Sequence, residues 1–163
     1  MDAKKQDLTN SIGLLILRAG IGSYMVTHGW QKLQMLLNNQ AEMMGTIIGI
    51  PPPFSLILPM LAEFVCAILV IIGLGTRFAA APIAFTMLVA AFVGHANDPL
   101  TMGEAFELFM TGKTKMPMSK QPALMFLFPF LALIFTGAGK LSLDGLVNWP
   151  KVFARMRQKK AAK

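Results

Sequence analysis

Disulfide chemistry is closed to this chain acting alone. Its 163 residues hold a single cysteine, Cys66, so no internal disulfide, dithiol redox pair or cysteine-ligated cluster can form within it. Histidine is nearly as scarce. His28 and His95 are the only two, and without further soft ligands they make no metal set, so no metal site is expected. Charge is thin, at 14% of residues with eight acidic side chains. The Gly137-Ala-Gly139-Lys140 run lacks the earlier glycine and the Ser or Thr after lysine that a nucleotide-binding loop needs, and it follows an apolar run instead of a strand.

What the chain has in abundance is apolar surface. Hydrophobic residues make up 55% and the mean hydropathy is +0.57, too high for an ordinary soluble domain, so an integral membrane protein is expected. A net charge of +7 would suggest nucleic acid in a soluble protein. Here the basic residues gather at the ends of apolar runs, where they read as topology and lipid-headgroup signals, and nucleic acid is excluded as a partner.

Four runs are long enough to span the ~30 Å hydrocarbon layer at ~1.5 Å per helical residue: Ser11 to about Trp30, Pro53 to Gly75, Phe78 to about His95, and Pro122 to about Gly139. The first is too long, and too charged at Arg18, for a cleaved signal peptide. The two-residue break Thr76-Arg77 forces the second and third runs into an antiparallel hairpin. In the third connection Thr101-Met-Gly-Glu104 has capping-box spacing ahead of Ala105, Phe106, Leu108 and Phe109, which predicts a short amphipathic helix on the membrane surface. The expectation is an all-α transmembrane four-helix bundle over 1–150, with a basic cytoplasmic tail over 151–163. Placing both termini inside puts ten basic residues there against Lys32, Lys113, Lys115 and Lys120 outside, which follows the positive-inside bias.

Ionisable groups within such runs are costly and must face protein. From helix rise, Arg18 lies roughly 10 Å deep, Glu63 roughly 18 Å, and His28 and His95 roughly 25 Å. A buried Arg18–Glu63 ion pair is therefore expected, either as part of a working site or as a fixer of helix register. Arg77 and Asp144 end neighbouring elements at one depth and are expected to pair as a structural lock. His28 and His95 could hydrogen-bond a quinone carbonyl, with Glu63 supplying protons, or simply sit in the wet interface. On the first of these readings Glu63, His28 and His95 are catalytic, and His28 and His95 bind the quinone. Cys66 reads as an inert buried thiol, and the thirteen methionines as packing material.

In order and spacing, Leu17-Arg18-Ala-Gly20, His28-Gly-Trp-Gln-Lys-Leu33, Gly49-Ile-Pro51, Glu63, Gly73-Leu-Gly-Thr-Arg77, His95 and Gly137-Ala-Gly-x-x-Ser-Leu-Asp144 together resemble the DoxX family of small bacterial membrane proteins. The resemblance implies a four-helix protein of the bacterial cytoplasmic membrane. Some relatives are linked to thiosulfate:quinone oxidoreductase, or to membrane oxidoreductase complexes with soluble sulfur-transfer or superoxide-handling partners. The chain departs from the pattern in Pro51-Pro52-Pro53, its longer third connection and its basic tail.

Two functions are expected to compete: a membrane subunit of a quinone-linked oxidoreductase, and a non-catalytic anchor or assembly factor for a soluble redox protein. A third, proton-coupled export through a homo-oligomer, rests on Glu63 alone.

Overall fold

The computed structural model describes residues 3–147, and among these the chain is all-helical, with no strand. The expected basic tail lies outside the described residues. Helix α1 runs Ala3–Leu37, 35 residues or about 52 Å. It extends past the apolar run at both ends, absorbing the polar leader and Gln31–Leu37, because neither stretch holds a proline or glycine that would stop a helix.

After a short 3-10 turn at Ala41–Met44, α2 spans Phe54–Ile72 and α3 spans Thr76–Gly94. Each has 19 residues, with mean hydropathies of 2.6 and 1.7, and both are long and apolar enough to cross a bilayer. The hairpin between them is tight. Gly73 at φ 74° ends α2 and Gly75 at φ 59° precedes α3, a left-handed backbone that only glycine adopts cheaply.

Helix α4, Met102–Met110, is the amphipathic helix expected in the third connection. The Thr101 side chain caps it by accepting from the Glu104 amide at 3.2 Å. Helix α5, Gln121–Thr136, has 16 residues and measures about 24 Å, shorter than the run read from the sequence because the backbone turns at Gly137. A final turn, α6, covers Leu143–Leu146.

Helices α1 and α2 pack along one another, and α3 packs on α5. The core lies among all four: Met25, Val70, Ala80, Ile83, Phe130 and Leu133 are essentially inaccessible. Phe78 and Phe135 point outward at 87% and 78% exposure, an apolar exterior around small buried residues that suits lipid surroundings. On α1 the close approach belongs to Gly22 and Gly29, seven apart and so on one face. A Cβ at Gly29 would collide with the backbone of Glu63 and Phe64.

Candidate functional site

Two polar constellations sit at opposite ends of the helices. At the end reached by α1 residues 28–32, Lys32 Nζ meets Glu63 Oε2 at 2.5 Å, with the Glu63 side chain 3% exposed and that of Lys32 20%. Glu63 belongs to a π-helical segment of α2, Leu61–Cys66. Pro59, just before it, has no N–H to close on the Ser55 carbonyl, which loosens the ladder where the wider turn begins. The bare Gly29 backbone lets α2 come close enough for the carboxylate to reach the next turn of α1.

His28 lies one turn before Lys32, on the same side of α1. It is exposed and sets its ring against Phe126 of α5 in an edge-on contact at 5.7 Å. Phe126 also lines an apolar cleft of about 370 Å³ between α1 and α5, together with Ile21, Met102, Gln121, Pro122 and Met125. The Gln121 amide oxygen accepts from the Met102 N–H at 2.8 Å. His95 follows a second π-helical segment, Ala90–Gly94, and its Nδ1 lies 2.7 Å from Asp98 Oδ2. No hydrogen bond joins the two histidines, and each has its own partner. Among the described residues no group of three or more His, Cys, Asp or Glu side chains could hold a metal ion.

The other end corrects two expectations. Arg18 is fully buried and does not pair with Glu63. Its Nη1 donates to the Val70 and Ile71 carbonyls at 3.2 and 3.1 Å, and its Nη2 donates to Leu141 O at 2.7 Å. Val70 O also accepts from the Gly73 N–H at 3.1 Å, whereas Ile71 O is one of the carbonyls a helix C-terminus leaves open, so the guanidinium satisfies it and meets the negative end of the helix dipole. The charge of Asp144 acts on the guanidinium from nearby without a salt bridge between them.

Asp144 does not pair with Arg77 either. Its two carboxylate oxygens accept from the Gly75 and Thr76 amides at 2.8 and 2.9 Å and so cap the start of α3. Its own N–H donates to Gly73 O at 2.8 Å. Both oxygens are occupied, and the Arg77 side chain turns instead over Gly137, whose missing Cβ leaves room for it.

The sequence reading missed Lys32 and Gln121. The apolar run ends at Trp30, so in the sequence Lys32 reads as an outer topology charge beyond the first span. Met35 and Leu36, three and four residues on, carried the signal that the helix continues.

A family model described as DoxX matches residues 13–96, just over half of the 163-residue chain. An uncharacterized protein of Haemophilus influenzae is 29% identical over 154 residues, covering 90% of this chain and 91% of that protein. No solved structure matches. The matched segment holds Arg18, His28, Lys32, Glu63, Arg77 and His95 and stops before Asp144.

Proposed function

The chain belongs to the DoxX family and is a membrane protein, and on that premise we propose that it is the membrane subunit of a quinone-linked oxidoreductase in the bacterial cytoplasmic membrane. In this reading α1, α2, α3 and α5 cross the bilayer and both termini are cytoplasmic. The outward apolar residues of α3 and α5 and the distribution of lysine and arginine support that arrangement.

The observation that carries the reading is the Lys32–Glu63 pair: a carboxylate 3% exposed, in a π-helical turn, one helical turn from His28. Ionisable pairs at such depth are expensive and cluster where protons or substrates move. The residues nearby fit a quinone. The cleft beside Phe126 offers apolar walls for a ring and tail, Gln121 brings an amide to its edge, and His28, outside the lining, meets the Phe126 ring edge-on. A quinone bound there would supply the two-electron, two-proton acceptor. The chain's share is to orient it and to relay protons between the Lys32–Glu63 pair and the surface, with the exposed His28 imidazole as the outer step. His95, polarised by Asp98, is a second such donor at the end of α3.

The test is to purify the protein from membranes, extract the lipids and measure quinone per chain, then repeat with His28→Ala and Glu63→Gln. Retained quinone that falls in both variants is expected. Absence of quinone, together with unchanged quinone reduction by the parent membranes in both variants, would refute the proposal.

One observation favours a second role, that of anchor for a soluble redox protein. Helix α4 leaves Phe106, Phe109 and Met110 exposed beside Glu104 and Glu107, an amphipathic surface beyond the main helices. Pull-down with and without residues 151–163, and with α4 apolar positions made serine, separates anchoring by the tail from anchoring by α4.

A further inference from the structure

At the end opposite the Lys32–Glu63 pair, a cleft of about 630 Å³ opens between the start of α1, the start of α3 and the exit of α5. Its polar lining includes Thr76, Arg77 and Lys140, and its apolar lining includes Leu14 and Phe78. Charges within it are already matched, with one exception. Lys140 Nζ pairs with Asp7 at 2.7 Å, and both oxygens of Asp144 are held by two backbone amides. Among the described residues Arg77 has no carboxylate partner. Its guanidinium lies along Gly137, where a Cβ would sit 3.1 Å from Nε, so the glycine shapes the bed for the arginine.

A second, independent feature points the same way. Thr76 is completely buried, lines this cleft, and carries a hydroxyl that finds no hydrogen-bond partner. A buried hydroxyl left unbonded is destabilising, and an oxygen-rich ligand would relieve it. Arg77 offers a fork suited to two phosphate oxygens.

We infer that this cleft binds the phosphate of an anionic phospholipid, with Arg77 gripping the phosphate, Thr76 donating to one of its oxygens, and an acyl chain lying along Leu14 and Phe78. The source is lipid and not free phosphate, because an apolar wall runs directly from the polar floor and Phe78 is 87% exposed beside it. This inference rests on the membrane reading alone and is independent of the quinone site.

The test uses the full chain in nanodiscs of phosphatidylcholine with a small fraction of phosphatidylglycerol, the lipids retained after extraction into detergent being counted by native mass spectrometry. Wild-type protein should retain phosphatidylglycerol over phosphatidylcholine. Arg77→Gln should lower that preference about tenfold, as expected for loss of a charge-assisted two-point contact. Thr76→Ser, which keeps the hydroxyl, should retain the preference, while Thr76→Val should lose part of it, so that a folding defect in one variant does not decide the matter. Equal retention of the two lipids, or an unchanged preference in both Arg77→Gln and Thr76→Val, would overturn the inference. Displacement of the lipid by millimolar inorganic phosphate would also overturn it, assigning the cleft to a soluble phosphate compound.

Discussion

Lys32 and Glu63 meet across the α1–α2 interface, where the backbone of Gly29 allows the two helices to touch. The ammonium stem reaches a carboxylate that water barely does. Removing one partner therefore strands the other: Lys32→Met is expected to cost ~3–5 kcal/mol, whereas the double change Lys32→Met/Glu63→Gln recovers most of it. Denaturant titration in detergent, read as a double-mutant cycle, measures the coupling. Additive effects would mean that the pair contributes nothing.

Arg18 is a clasp with three acceptors on two segments. Replacing it by methionine leaves the Ile71 and Leu141 carbonyls without their donor and takes one of two from Val70 O, and is expected to destabilise by ~3–5 kcal/mol, as for other broken buried charge networks. Arg18→Lys is expected to fall between the two, because a single ammonium cannot span acceptors that the guanidinium reaches from two separate nitrogens. Equal stability of wild type and Arg18→Met in the same titration would show the clasp to be idle.

Asp144 caps α3 through two amides. Asp144→Ala is expected to cost ~1–2 kcal/mol and to speed amide exchange at Gly75 and Thr76, while Asp144→Asn, which keeps one acceptor oxygen, costs less. Hydrogen exchange followed by mass spectrometry checks this locally, and unchanged protection at those amides in Asp144→Ala would contradict the capping role.

Two glycines of α1 predict opposite signs for one substitution. Gly29→Ala drives a methyl into the Glu63–Phe64 backbone and should cost at least ~1–3 kcal/mol as overpacking. Gly13→Ala meets nothing within 4 Å and should gain ~0.5–1 kcal/mol from helix propensity. Thermal denaturation of the two variants side by side decides.

The helices, the tight hairpin and the capped amphipathic helix were readable in the sequence, since apolar runs, the short break between two of them and the Thr101–Glu104 spacing each carry a local signal, although the turn falls at Gly73–Gly75 and the expected break residues Thr76 and Arg77 open α3. The pairing of the buried charges was not. Depth from helix rise set Arg18 beside Glu63 because both are ionised side chains. The acceptors that claim Arg18 are main-chain carbonyls, and every residue has one. Nor does any composition mark a π-helical turn, so the wider segment that holds Glu63 was invisible. Asp144 was expected to seek the nearest arginine, but exposed helix-start amides compete for a carboxylate and here take both oxygens.

The clasp around Arg18 also sets an order of events. Its last acceptor, Leu141, lies 123 residues further along the chain, so during synthesis the earliest helix reaches its resting place only after almost everything else has emerged. Until then a charged side chain waits with one arm unanswered, so a chain halted before Leu141 holds its first helix by the α2 carbonyls alone.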